Sequence, residues 1–449
     1  MSQDSTGSVD TDRSLDRSRA LLDRARQVIP GAAQTNSKGP TRWVQGVAPT
    51  HLERGQGSHV WDVDGNEYID HVSSLGPIVL GHDYPAVTEA VEAQVGDGSL
   101  FSLPHPLQVE VAERIVDVVP CAEMVRFAKN GNDVTTAAAK LARAHTGRDV
   151  VATQGYHGWG DVWMAATAMD AGIPAAVGGL TEPFDYNDIE RVEAIFDDHP
   201  DDVAAVVTTP VNLDPPEDEF LTRLRELCDE HDALLVYDEV LTGFRFALGG
   251  AGEFFGVQPD LACFAKAMAN GYPLAALAGR ADVMRTIDGE GFFFSSTYAG
   301  DAVSLAAANA TLSVLREVPV VEHLHEQGEA LRDGYTERAA AHGLGKVTTA
   351  RGYAPRSAVS FESAGGASAR HCKSLFLQEC LDRGVLFAGT HLPNYSHTDA
   401  DVARTLTVYD EALGVLAAAI EDGAVTDRLR GEPVGATLRE RTGEAGGDR

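Results

Sequence analysis

At 449 residues the chain exceeds what one core ordinarily holds, so two or more lobes are expected, with 44% apolar and 23% charged residues typical of a globular protein. A formal charge of −31 repels nucleic acid and anionic membrane alike, which excludes both as partners. No apolar run approaches bilayer length, and the polar start Met1-Ser2-Gln3-Asp4-Ser5 lacks a signal peptide's apolar core, so a cytoplasmic location is expected.

Residues 1–12 are polar and read as loose. Ser14 to Val28 is an Arg- and Leu-rich helical pattern stopped by Ile29-Pro30-Gly31. His59–Val63 and Tyr68–Asp70 form a hairpin pattern across Asp64-Gly65. From about residue 71 helices and short apolar strands alternate. Helices are expected over 106–119, 134–145, 188–196, 220–231 and 301–315. Strands are expected over 124–128, 150–153, 203–208, 234–238, 261–265 and 274–278. This alternation predicts an α/β fold, a mostly parallel sheet flanked by helices, with ligands bound at the carboxyl ends of the strands.

After about residue 325 the alternation returns on a smaller scale, with 358–361 extended and 373–383 helical. The expected organisation is an N-terminal helix and hairpin (1–70), a large domain (71–325), a small α/β domain (326–429) that shares structure with the N-terminal segment, and a mobile, Gly-rich tail (430–449).

Two residues carry the strongest chemistry. Asp238 ends the apolar run Leu234-Leu235-Val236-Tyr237, and Lys266 follows the run ending Phe264-Ala265, 28 positions later. Lysine is scarce, with six (38, 129, 140, 266, 346 and 373) among 36 basic residues. An acid and an amine at the ends of two apolar runs are what a pyridoxal phosphate (PLP) enzyme needs at the two ends of its cofactor. The amine forms a Schiff base, and the carboxylate keeps the ring nitrogen protonated. A desolvated lysine also has the lowered pKa that this chemistry uses.

Lys129-Asn130-Gly131-Asn132-Asp133-Val134 lies between a strand and an Ala-rich helix, where glycine and free helix N–H groups suit a phosphate. Tyr156, in Tyr156-His157-Gly158-Trp159, could stack on a flat ring opposite Val240. Ser295-Ser296-Thr297-Tyr298-Ala299-Gly300-Asp301 either binds phosphate or caps the next helix. Five scattered cysteines form no disulfide or zinc pattern, and 15 histidines show no metal-ligand spacing. No metal is expected, and His82, His157 and His397 read as structural or surface groups.

In this order the strings resemble the class-III PLP aminotransferases of fold type I, especially the glutamate-1-semialdehyde 2,1-aminomutase branch, over roughly residues 20–425. The match includes Val60-Trp61-Asp62-Val63-Asp64-Gly65-Asn66-Glu67-Tyr68-Ile69-Asp70, Gly76-Pro77 with Gly81-His82, Tyr156-His157-Gly158 and the Asp238–Lys266 block. The resemblance implies a cofactor linked to Lys266, Asp238 on its ring nitrogen, and Tyr156 and Val240 on its two faces. Asn130, Gly131 and Asn132 would sit at its phosphate. Thr297 would reach the phosphate of a neighbouring subunit, so a homodimer is implied.

Several departures matter, the first for the phosphate-site residues and the second for the substrate. Lys129-Asn130-Gly131-Asn132-Asp133-Val134 stands where the family commonly has Asn-Ser-Gly-Thr-Glu-Ala. Thr209-Pro210-Val211 replaces Glu-Pro-Val, and Ser74-Leu75-Gly76-Pro77 replaces Ser-Trp-Gly-Pro. The expected activity is amino transfer between an amine or amino acid and a carbonyl compound. The alternative is the mutase reaction within one molecule, giving 5-aminolevulinate. A non-catalytic aminotransferase-like domain is the remote third reading, and it predicts loss of the lysine or the acid, both of which are present. The acidic, Lys-poor composition also suggests a surface suited to concentrated salt.

Overall fold

The computed structural model describes residues 13–217 and 219–435. The expected loose start (1–12) and the part of the expected tail beyond 435 lie outside the described residues. The chain divides into two compact units. Of the described residues, one takes 13–73, Gly81–Asp83 and 324–435; the other takes Ser74–Leu80 and Tyr84–His323.

The larger unit is built on seven strands: β1 (Met124–Ala128), β2 (Val150–Gln154), β3 (Thr181–Pro183), β4 (Val203–Thr208), β5 (Leu234–Asp238), β6 (Leu261–Phe264) and β7 (Ala275–Gly279). Their order across the sheet is β1-β7-β6-β5-β4-β2-β3. Pairs β3–β2, β2–β4, β4–β5 and β5–β6 are parallel, and β7 runs against both β6 and β1. Every residue of β2, β4, β5, β6 and β7 is buried, which explains why these strands read as continuous apolar runs.

Successive side chains of β5 serve opposite faces. Leu234 and Val236 pack with Val134, Ala138 and Leu141 of the helix Gly131–Thr146. Leu235 and Tyr237 pack with Val192, Ile195 and Leu224 from the helices Ile189–Asp198 and Phe220–Glu230. Helices therefore cover both faces, as the period-two strand geometry requires.

In the smaller unit the strands His59–Asp62 and Glu67–Asp70 pair antiparallel, with Gly65 at φ +90 in the turn and Asp62 Oδ1 accepting the N–H groups of Asp64 and Asn66. Val385–Leu386 joins this sheet in parallel with Glu67–Asp70. A second sheet holds Thr348–Tyr353, Arg356–Phe361 and Thr390–His391. Strands and helices alternate here as expected, with 358–361 inside Arg356–Phe361 and the helix expected over 373–383 beginning earlier, at Ala369; long helices dominate the core. Val320–Ala341, Ala369–Asp382 and Asp399–Glu421 bring Tyr335, Phe376, Tyr409 and Leu413 together with Phe387.

Candidate active site

Asp238 is the last residue of β5 and is 6% exposed. It lies abreast of Cys263 on the adjacent parallel strand β6, three residues before Lys266. Acid and lysine therefore leave the same carboxyl edge of the sheet on neighbouring strands, about 5 Å apart by strand spacing. Lys266 opens a short 3-10 turn, Lys266–Ala269, with φ +45; Asn270 closes it at φ +43. Left-handed backbone at a lysine is strained, and such strain gathers at functional sites.

A second strained segment runs beside it. Ser74, Leu75 and Gly76 have φ of 56, 73 and 102. A Cβ added at Gly76 would stand 2.5 Å from Leu241 Cδ1 and 4.0 Å from Lys266 Cδ, so only glycine passes there. The fully buried Arg245 holds this segment by donating from its guanidinium to the Gly76 carbonyl at 3.1 Å. Asn270 Oδ1 accepts the N–H groups of Val79 and Leu80.

The Asp238 carboxylate is oriented from two sides. Oδ1 accepts the Val240 N–H at 3.0 Å, and Oδ2 lies 2.7 Å from His157 Nδ1. Because an ionised carboxylate only accepts, the His157 proton sits on Nδ1 in this bond. His157 is buried, its ring meets Trp163 edge-on at 5.0 Å, and its Nε2 has no partner among the described residues. This histidine is thus part of the site, whereas the sequence suggested a structural or surface role. Its neighbour Tyr156 is half exposed, and burial, then the charge of Asp238, raise its phenol pKa.

Glu239, next in the chain, has a different task. It is 2% exposed and accepts from Thr242 Oγ1 and from the N–H groups of Ala251 and Gly252 at 2.6 and 3.1 Å. Burial pushes its carboxyl up to about 7. Within Asp-Glu-Val-x-Thr-Gly-Phe-Arg, then, Asp238 faces the site edge while Glu239, Thr242 and Arg245 fold the segment that supports it.

The helix expected from Val134 begins earlier, at Gly131, because Asp133 Oδ2 accepts the N–H groups of Lys129 and Asn130 and turns the chain into it. Its first N–H groups have no carbonyl within the helix to bond. A Cβ on Gly131 would lie 2.9 Å from Val240 Cγ1, so the glycine lets this helix start against the residue after Asp238-Glu239. Asn132 Oδ1 accepts the Gly160 N–H at 2.8 Å, and Thr135 Oγ1 donates to the His157 carbonyl at 2.6 Å. These bonds tie the helix start to the Tyr156–Gly160 turn. Gly131, Asn132, Tyr156, His157, Asp238 and Val240 are brought together, with Lys266 at the next strand.

Thr297 is elsewhere. It is exposed and lines a groove of about 1210 Å³ shared with Phe101, Leu103, Val109 and Phe127, which neither Asp238 nor Lys266 lines. Among the described residues no cluster of three or more His, Cys, Asp or Glu is arranged for a metal, and no helix is long and apolar enough to cross a membrane. All five cysteines are buried free thiols.

Known proteins resemble this chain over most of its length. The family described as aminotransferase class-III matches residues 42–422. The chain is 37% identical over 421 residues to the glutamate-1-semialdehyde 2,1-aminomutase of Syntrophobacter fumaroxidans, covering 89% of this chain and 96% of that one. It superposes with a TM-score of 0.84 on the PLP internal aldimine form of the FumI protein of Sphingopyxis sp. MTA144, at 32% identity over 93% of this chain and 99% of that one. A glutamate-1-semialdehyde-aminomutase of Pseudomonas aeruginosa PAO1 gives 0.79 at 25% identity, covering 90% and 96%.

Proposed function

From the premise that this chain belongs to the class-III aminotransferases, we propose that Asp238 and Lys266 form the working pair of its active site. It is a PLP-dependent enzyme that moves an amino group between an amine or amino acid and a carbonyl compound. The observation that carries the assignment of the pair is their placement at the carboxyl ends of adjacent parallel strands, with a buried, doubly held carboxylate.

The residues present fit the cofactor. Asp238 keeps lone pairs beyond the two already engaged, enough to accept a protonated ring nitrogen. The helix start Gly131–Thr146 suits its phosphate, with Asn130, Gly131 and Asn132 around it. Tyr156 and Val240 would flank the ring. Bound there, PLP supplies an aldehyde that takes up the substrate nitrogen and a ring that draws electrons from the adjacent carbon. Asp238 holds the proton on the ring nitrogen, and His157 fixes the carboxylate so that it faces one way. Lys266 Nζ holds the cofactor, then takes the proton from the carbon that bears the substrate nitrogen.

A homodimer belongs to the same reading. Leu103 (78% exposed) and Val109 (60%) beside the Thr297 groove suit a second copy of this chain, which would bring Thr297 to the partner's phosphate. A cytoplasmic location fits five buried, unpaired thiols.

The test is a half-reaction screen, in which the PLP form is mixed with a panel of amines and loss of its visible band is followed. Bleaching by a subset of amines supports transfer; a chain with no such band sinks the proposal. The aminomutase identity of the relative at 37% favours a second reading, transfer within glutamate 1-semialdehyde. That substrate supplied without an amine donor separates the two. Formation of 5-aminolevulinate establishes the mutase, and its absence leaves the transaminase.

A further inference from the structure

Lys129 stands one residue beyond β1, where the resembling family commonly has asparagine. Its side chain turns away from the helix start and crosses to another part of the larger unit. Nζ lies 2.9 Å from Asp301 Oδ2, 2.7 Å from the Pro273 carbonyl and 3.2 Å from Ser304 Oγ. Three acceptors use the three N–H bonds of an ammonium. The pair is partly sheltered, with Lys129 and Asp301 side chains 19% and 18% exposed.

Asp301 is itself an N-cap, accepting the N–H groups of Val303 and Ser304 at the start of the helix Ala302–Glu317. It also closes the Ser295–Asp301 segment that carries Thr297. Lys129 thus links the turn into Gly131–Thr146 with the loop that presents Thr297, whose approach is also held by Lys140 Nζ donating to the Phe293 carbonyl at 2.8 Å and the Arg126 guanidinium donating to the Phe294 carbonyl at 3.1 Å.

We infer that Lys129 is a positioning residue that clamps these two segments together, so that the phosphate cradle of one active site and the loop offered to a neighbouring one keep a fixed relation. This rests on the PLP reading above for its consequence, but the clamp itself does not. The lysine is fitted to the task by length and charge. Asparagine at 129 is too short to reach Asp301 from the end of β1. Arginine would keep both charge and reach.

The experiment compares wild type with Lys129→Met, Lys129→Arg and Asp301→Asn. Hydrogen exchange of the 292–305 peptide is measured on cofactor-free protein, and the rate of PLP loss on dilution of the holoenzyme is followed by its visible band. Lys129→Met should speed exchange in 295–301 and PLP loss by about tenfold or more, the usual scale for a charged hydrogen bond. Lys129→Arg should restore both, and Lys129→Met in the Asp301→Asn background should add little. Unchanged exchange in Lys129→Met overturns the clamp, and faster exchange with unchanged PLP loss overturns its positioning role. A wild-type chain that takes up no PLP sinks the functional reading instead, while the exchange comparison still reads the clamp.

Discussion

The two residues at the heart of the site make different demands, and each can be tested alone. In the proposed reading Lys266 both holds the cofactor and moves a proton, so Lys266→Ala should slow the half-reaction by about 10²–10⁴-fold from lost proton transfer alone. The visible band should shift as the covalent link is lost. A variant that keeps the wild-type band and rate would remove Lys266 from the mechanism.

His157 acts through Asp238, so its loss should show as orientation rather than binding. His157→Phe deletes one charge-assisted hydrogen bond, about 1.5–3 kcal/mol, or roughly 10–100-fold in kcat. His157→Asn, whose amide N takes the place of Nδ1, should recover part of it. Equal loss in both variants would mean that ring packing against Trp163 matters and the bond does not. Asp238 and Lys266 were legible because one ends an apolar strand and the other follows one by two residues. His157 was not, because its partner is 81 residues away and β4 lies between β2 and β5; the contact exists only once the strand order is set.

Among the elements, six of the seven strands described in the larger unit were legible almost to their bounds, and the short β3 was not expected. β4 and β5 begin and end where the apolar runs do, because burial on both faces leaves no polar interruption, and β1 keeps its expected bounds although Arg126 within it is exposed. The smaller unit was less legible. The buried positions of Asp399–Glu421 (Val402, Thr405, Val408, Tyr409, Ala412, Leu413, Leu416 and Ala419) follow a helical period, but Thr405 and Tyr409 break its apolar stripe. Both are there for a reason. His71 Nε2 lies 2.7 Å from Thr405 Oγ1, and His391 is held between Ser357 Oγ (2.9 Å) and Tyr409 OH (3.0 Å). His397 stacks on His71 with ring centres 4.8 Å apart.

These three histidines are fully buried, and burial lowers all of their pKa values: His391 to about 3, His397 to about 4, and His71 well below its ordinary value. Above pH 6.5 both folded and unfolded states hold them neutral, so stability does not depend on pH through them. Below 6.5 the unfolded chain takes up protons that the folded unit cannot, and stability falls toward pH 4. Each contributes up to about 1.4 kcal/mol per pH unit. Glu239, raised to about 7, acts oppositely in the larger unit, gaining stability as pH falls from 7 toward 4.5. Melting should therefore be nearly flat from pH 8 to 6.5 and fall steeply below 6. Replacing His391 with Gln should blunt that fall; an unchanged profile would clear the cluster of any part in it.

For the whole molecule the governing fact is charge. With 67 acidic and 36 basic residues, pairing every cation still leaves 31 carboxylates unmatched. The ion pairs show the same shortage: Arg223 alone is shared by Glu193, Glu226 and Glu230. Such a surface repels itself over about 10 Å at 0.1 M salt but only about 3 Å at 1 M, and joining two copies across the Thr297 groove would bring two such surfaces together. Potassium chloride should therefore raise the melting temperature between 0.1 and 2 M. A relief of about 2 kcal/mol would appear as a rise of several degrees. Chloride is the proper choice, since sulfate stabilises almost any fold by exclusion from its surface. Repeating the series at a tenfold lower protein concentration separates the two sources. A rise that persists belongs to the fold, and one that shrinks belongs to the assembly. A melting temperature that stays level from 0.1 to 2 M would show that the excess carboxylates are spaced widely enough for water alone to keep them apart.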